Sequence, residues 1–504
     1  MKSRSKKAIR NTIWLLTLEV VTAVCGLILP RLILSYFGST YNGITQSIAY
    51  FLSCIAILKS GIGSVTRAAL YKPLAQNDSV GISKVVNATE SFMRRIALIF
   101  SIFVLFFAAS YPFLVSDDFS WIFAFTLVLI LSASTVAQYY FGITYQMLIQ
   151  ADQNDYIISI VSIVSTIIST VIASIMILSG CTIHMVKLGS AVVFVLPPIF
   201  YNLYSREKYR IDKKIPADAS LISQRWDAFA HQISNFINDN TAVMLATVFL
   251  GVKEVSVYAI YNMVANNMRK VVNSFLSGTT AAFGNMIIKE EKENLRRRFD
   301  QFELLIFGVC TVLFTTTAIL YQPFINIYTR GVTDADYNRP VLGILFCVAC
   351  FFACVKLIYE NVIFAAGKFK ETKKFAYWEA IINIGVSIAF VSSFGLIGIL
   401  TGAIVAGVFR TVTYSFFASG KVVNRTPFQP FVKCVYTCAC AVSALLLTRF
   451  LPISSVADYL TWGLNAVGVF FITSSISIAV AFVMFREDSM AIVKTLFSRL
   501  NKKA

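Results

Sequence analysis

Histidine is almost missing from this chain: His184 and His231 are the two copies in 504 residues. Two imidazoles on separate segments exclude a histidine-built metal centre. Ten cysteines do not make up for them, because nine fall inside apolar runs and only Cys181 lies near an outer connection. A disulfide framework therefore has no partners to draw on. Cys347, Cys350 and Cys354 share one helical face with C-x-x-C spacing, but without further ligands they read as small core packers. Charge is also scarce, at 14% of residues, where a soluble domain carries roughly a quarter. Water is excluded as the main solvent of such a surface. No polar stretch between the apolar runs is long enough for a soluble domain, and no small-residue cleavage site follows MKSRSKKAIR. The first apolar run is expected to stay on the protein as a helix.

What is present is apolar length. Hydrophobic residues make up 57% of the chain, mean hydropathy is +0.71, and runs near the ~20 residues that cross a bilayer recur throughout. The pattern predicts an all-α, polytopic membrane protein with about fourteen spans, at 11–36, 43–65, 92–115, 121–146, 156–179, 183–204, 228–250, 257–281, 303–327, 340–364, 376–396, 398–419, 432–451 and 460–484. Counting a base within four residues of a span end with the adjoining loop, 33 of the 44 Lys and Arg face one side, five the other side and six fall within spans. The positive-inside rule makes the basic side cytoplasmic, with both termini there. That asymmetry accounts for the net charge of +18 without a nucleic-acid partner. Segments 289–303 and 490–500 pair apolar residues at helical spacing with basic ones, as expected of helices on an anionic leaflet, so anionic membrane lipids are an expected partner.

Sliding the chain by about 216 residues superposes YFGSTYNGITQS (36–47) on FLGVKEVSVYAIYNM (249–263). It also superposes the loop and helix at 148–167 on those at 364–384. An even number of helices per half gives the halves the same orientation, as in transporters built from parallel repeats. The division expected is a six-helix lobe at 1–210, a cytoplasmic linker at 211–224, a second six-helix lobe at 225–420, and a terminal segment at 421–504 with helices 13 and 14 and an amphipathic tail. Pro30, Gly61 with Gly63, and Gly278 are expected points of helix bending.

Ionisable side chains inside a membrane are costly and mark function. The basic set is Arg31, Lys59, Arg269, Lys270, Lys356 and Arg410; the acidic set is Glu19, Asp239, Glu360 and Glu379. The excess of bases points to an anion, such as a pyrophosphate that Arg grips bidentately and Lys as a point charge. The carboxylates are candidates for coupling to H⁺ or Na⁺. The alternatives are ordinary: Arg31 and Lys59 snorkelling to an interface, Lys356 pairing with Glu360 one turn away, and Arg410 pairing with Glu379.

Three stretches carry a family resemblance: SGIGSVTRAALYKPLAQND (60–78), NFINDNTAVMLATVFLGVKEVSVYAIYNM (235–263) and EAIINIGVSIAFVSSFGLIGILTGAIVAG (379–407). The sequence resembles the bacterial polysaccharide flippases, within the superfamily that includes the lipid II flippases and the MATE multidrug extruders. The resemblance implies two six-helix bundles in a V plus a terminal helix pair. It implies a non-enzymatic flippase of undecaprenyl-pyrophosphate-linked oligosaccharide, with no cofactor or metal, in the bacterial cytoplasmic membrane. A polysaccharide polymerase and glycosyltransferases are the implied partners. Arg31 resembles the first-helix arginine of the lipid II flippases and Lys59 stands near their second-helix arginine, while Leu32, Ser60 and Asn262 depart from that pattern. In those proteins the last helix pair contributes to a groove for the lipid tail, a role implied here for helices 13 and 14. A cation-coupled MATE-like antiporter is the second reading, and a membrane polymerase or ligase, which would want a large outer loop, the third.

Overall fold

The computed structural model describes residues 2–115, 118–218, 229–276, 279–289, 292–451 and 458–501. They form helices joined by short turns. In the first half these are α1 (Lys2–Phe37), α2 (Ser39–Leu52), α3 (Ile55–Ala75), α4 (Ser79–Ser110), α5 (Trp121–Ala137), α6 (Ile143–Ala151), α7 (Asp155–Leu178) and α8 (Ile183–Tyr209). Then follow α9 (Phe229–Leu250), α10 (Val252–Leu276), α11 (Thr279–Ile288), α12 (Lys292–Tyr328), α13 (Pro340–Ala365), α14 (Phe369–Phe394) and α15 (Leu396–Ala418). The chain closes with α16 (Gln429–Thr448), α17 (Tyr459–Met484) and α18 (Arg486–Asn501). Helices satisfy their own backbone polar groups, which is what a bilayer demands of any spanning segment.

Among the described residues, eleven helices are long and apolar enough to span. The chain is an all-α, multi-pass membrane protein. The other three expected spans are helical but more polar or broken. The second divides at Ser53 and Cys54 into α2 and α3, the seventh keeps a short apolar stretch at Phe236–Leu250, and the eighth, α10, carries Arg269 and Lys270. One local expectation fails: the basic stretch 292–303 is not a separate surface helix but the first turns of α12. Pro30 lies inside α1, which continues to Phe37.

Turn geometry repeats along the chain. Gly38 and Gly251, Gln153 and Gly367, Gly180 and Gly395, and Arg210 and Asn424 all adopt positive φ, and the members of each pair lie about 214 residues apart. Each sits at a helix end, where a left-handed residue lets the chain turn. The first pair stops α1 before α2 and α9 before α10, inside the superposed YFG and FLG motifs.

The helices gather into two compact units, Met1–Ser256 with Gly331–Ala335, and Val257–Arg330 with Asp336–Ala504. In the first, Phe100, Phe107, Tyr111, Leu127, Val128 and Ile143 form an apolar core. α2 and the first turn of α10 approach closely there: a Cβ on Gly43 would lie 1.7 Å from the Val252 carbonyl oxygen. In the second, α14 and α15 meet backbone to backbone. A Cβ on Gly398 would lie 2.3 Å from the Phe390 oxygen and one on Gly402 2.7 Å from the Asn383 oxygen. Small residues at such contacts let spanning helices attract through packing where lipid gives no hydrophobic drive. Gly398 and Gly402 of GLIGILTG play that part here.

Candidate functional site

Three consecutive helices of the second unit bring charges together. Glu379 on α14 takes Lys356 Nζ from α13 at 2.7 Å on Oε1, and Arg410 Nη1 from α15 lies 3.1 Å from its Oε2. Glu379 and Arg410 are 2% exposed and Lys356 9%. Arg410 also stacks its guanidinium 4.0 Å from the Tyr414 ring centroid and donates from Nη2 to the Tyr414 hydroxyl. Its Nε and Nη1 have no hydrogen-bond acceptor among the described residues, so Nη1 touches Glu379 as an ion pair only. Two cations on one carboxylate leave an edge of Arg410 able to take an anion. Lys356 reaches across to Glu379 and not along its own helix to Glu360, because Glu379 is buried opposite it while Glu360 is half-buried on the next turn.

The remaining candidates are dispersed. In the first unit Arg31 is half-buried on α1, while Glu19 on α1 and Asp239 on α9 are exposed. Lys59 belongs to α3, and its side chain lies outside the described residues. In the second unit α10 turns Arg269 toward α13, where it acts electrostatically on Cys354 beside Lys356, and leaves Lys270 exposed. Adjacent positions diverge by about 100° on a helix, which separates the two bases.

A second buried charge cluster was not legible in the sequence. Glu303 on α12, fully buried, accepts from Arg425 Nη1 and Nη2 at 2.7 Å each, from Lys433 Nζ of α16, and from the Tyr359 hydroxyl of α13 at 2.6 Å. Arg425 also reaches Asp300 and lies 4.8 Å over the Phe299 ring. Burial works against the Arg425 charge, but the Glu303 hydrogen bonds outweigh it and hold the guanidinium more firmly protonated than usual. Glu303 and Lys433 stand at the ends of expected spans and Arg425 in a connection, where charges are ordinary. Only folding shows that they are dry.

Beside this cluster lies an apolar groove of about 570 Å³, walled by α10, α12, α16, α17 and α18. Val271, Gly308, Val312, Phe470 and Ile478 line its length, and Tyr436, Ser477 and Ser489 supply its few polar atoms. Ile492 and Val493 of α18 also line it, so this part of the amphipathic tail packs on protein, against α12 and α17. His184, the histidine whose side chain is described, is a packing residue: its Nε2 lies 2.9 Å from Thr126 Oγ1 and its ring stands edge-on to Phe123. Among the described residues no group of three His, Cys, Asp or Glu is placed to hold a metal.

No family model and no curated protein sequence matches the chain. Solved structures do. A lipid II flippase, MurJ, in an inward closed conformation superposes with a TM-score of 0.73 over 95% of this chain and 99% of its own, at 14% identity. An inward-facing multidrug resistance MATE family transporter of the MOP superfamily gives 0.60 over 79% and 95%, at 14% identity. The eukaryotic MATE transporter AtDTX14 gives 0.58 over 86% and 99%, at 13%. The chain is similar in fold, over nearly its whole length, to a lipid II flippase and to MATE transporters.

Proposed function

We propose that this protein is a flippase that moves an undecaprenyl-pyrophosphate-linked oligosaccharide across the bacterial cytoplasmic membrane by alternating access, for surface polysaccharide synthesis. The observation that carries the reading is the apolar groove formed with α16, α17 and α18. A long prenyl tail needs an apolar channel beside a polar path for its head, whereas a compact organic cation does not. The flippase superposition also covers 95% of the chain against 79% and 86% for the two MATE transporters.

Arg31, Lys59, Arg269, Lys270, Lys356 and Arg410 are the proposed cations for the pyrophosphate. Arg410 is the best prepared, with its unfilled Nε edge. Glu19, Asp239, Glu360 and Glu379 are the proposed carboxylates for H⁺ or Na⁺ coupling, and Glu379 doubles as the resting counter-ion of Lys356 and Arg410. Both termini are assigned to the cytoplasm by the basic loops. The test is export of surface polysaccharide in a strain lacking its own flippase. The intact protein should restore it, and Arg31→Ala, Lys59→Ala and Arg410→Ala should each reduce it. Restored export that is unchanged in all three variants rejects the cationic path. Failure to restore, with extrusion of an organic cation instead, favours the antiporter.

A further inference from the structure

The loop between α12 and α13 leaves its neighbours for five residues. The chain departs from the second unit at Arg330, contributes Gly331–Ala335 to the first, and rejoins the second at Asp336. One side chain holds it there. Asp334 Oδ2 accepts the Ser39 backbone N–H at 2.6 Å and Oδ1 accepts the Ser39 hydroxyl at 2.7 Å, although the two residues lie 295 positions apart. Ser39 opens α2, and its N–H is among those that no carbonyl of the helix can satisfy. A carboxylate at that point caps the helix and meets the positive end of its dipole. Gly38 makes room for it. Its φ is +86°, and a Cβ there would stand 2.7 Å from Asp334 Oδ2.

Below the cap, α2 is fastened by small polar pairs. Asn42 Nδ2 donates to Ser256 Oγ at 2.8 Å, Ser47 and Thr247 hydroxyls meet at 2.8 Å, and Ser53 Oγ donates to Asn240 Oδ1 at 2.8 Å. Ser256 stands in the first turn of α10 and Thr247 and Asn240 on α9; as the number rises along α2 it falls on the facing side, so α2 and α9 run antiparallel and the cap stands at the α10 end of the row. Hydrogen bonds between spanning helices are each worth about 0.6 kcal/mol on average. A row of this kind opens pair by pair, and the charge-assisted cap is its strongest member.

We propose that Asp334 is a releasable clasp: its carboxylate holds the α12–α13 loop on the first turn of α2, keeps the polar row between α2 and the α9–α10 pair shut, and lets go when the transporter changes state. The proposal rests on the alternating-access reading for its purpose, but its test does not need a transported substrate. In the full-length protein in lipid nanodiscs, hydrogen exchange is followed in peptides covering 38–45 and 331–335. Thiol labelling of Ser47→Cys by a bulky maleimide is read by mass spectrometry, so that native cysteines are resolved separately.

In the intact protein the two peptides should exchange at matched rates. Asp334→Ala should speed both by about five- to tenfold, the scale of a lost helix cap, and should speed labelling at Ser47→Cys by a similar factor. Asp334→Asn, which keeps one acceptor, should fall between. Gly38→Ala, which displaces the carboxylate without removing it, should reproduce Asp334→Ala. Exchange in α14 and α15 should not change. If the 38–45 peptide does not respond to Asp334→Ala, there is no clasp. If both peptides respond while labelling at position 47 does not, the loop merely docks and the clasp does not hold the row. If exchange rises throughout the chain, the residue serves general stability and the proposal fails.

Discussion

Arg425 holds Glu303 with both of its terminal nitrogens, each at 2.7 Å, in a pocket where neither side chain reaches the surface. The pair links the connection after α15 to α12, and Lys433 adds α16 to the same carboxylate. The terminal helices are thus fastened to the second unit by charge as well as by apolar packing. Glu303→Gln would strand two buried cations, a change that costs about 3–5 kcal/mol. Unfolding of the purified protein should shift accordingly. Asp300→Asn should cost much less, since Arg425 keeps Glu303.

The trio on α13, α14 and α15 should respond unequally. Lys356→Met leaves Glu379 with Arg410, and the remaining charges balance. Glu379→Gln leaves Lys356 and Arg410 without their shared counter-ion and should destabilise more, by roughly 3 kcal/mol or above. A thermal-unfolding series on the single variants checks the order. Equal effects would mean that the three charges do not act together.

Backbone contacts predict the most severe glycine substitutions. At Gly43 a methyl would sit 1.7 Å from a carbonyl oxygen, and at Gly398 2.3 Å from another. Neither neighbour is the tip of a flexible side chain, so Gly43→Ala and Gly398→Ala should each cost about 1–3 kcal/mol or prevent assembly. Monodispersity on size-exclusion chromatography reports this directly. Gly463→Ala, where nothing lies within 4 Å of the added carbon, is the control.

Filling the groove separates folding from transport. A Cβ at Gly308 would meet Tyr436 Oη at 3.7 Å and Ser477 Oγ at 3.9 Å, which is ordinary contact. Gly308→Ala should be silent. Gly308→Trp places a large ring in the apolar channel and should abolish polysaccharide export while the protein still inserts and purifies. Retained export with Trp would mean that the tail does not travel there.

Asp152 ties the turn after α6 to both α1 and α8. It takes Tyr209 Oη at 2.8 Å and Lys208 Nζ at 3.1 Å, with Lys7 at 3.7 Å. Burial raises its pKa, but the Tyr209 and Lys208 hydrogen bonds and the charges of Lys208 and Lys7 together bring it below the ordinary carboxylate value. A lowered folded pKa means that the stabilisation is complete above the unfolded value and disappears as pH falls through the folded one. Thermal stability should therefore drop on acidification below the usual aspartate range, and Asp152→Asn should flatten that part of the profile.

Spans were legible because one physical quantity, apolar length, dictates them. The α10 helix and the α2–α3 pair read as ordinary spans in the sequence, but the first is more polar than the other spans and the second is broken at Ser53 and Cys54, features that a hydropathy window averages away. The trio of Lys356, Glu379 and Arg410 was half visible. Its members stand out as charges in apolar runs, yet helical spacing favoured Glu360 as the neighbour of Lys356, and the partner came from another helix. The Glu303 cluster and the Asp334 cap left no signal, since a charge at a helix end or in a loop looks the same whether wet or buried.

By itself, then, the sequence determined the solvent, the helical class, the clustering of bases between apolar runs, and the duplicated turns marked by Gly38 and Gly251. These follow from local rules: hydropathy over a window, charge between windows, and glycine where φ must be positive. The tertiary structure alone decided which charges meet, that Glu379 is shared, that Glu303 is dry, and that Asp334 closes on Ser39 across 295 residues. Pairing depends on which helix faces come within about 4 Å of one another, and no pattern along one chain encodes that distance.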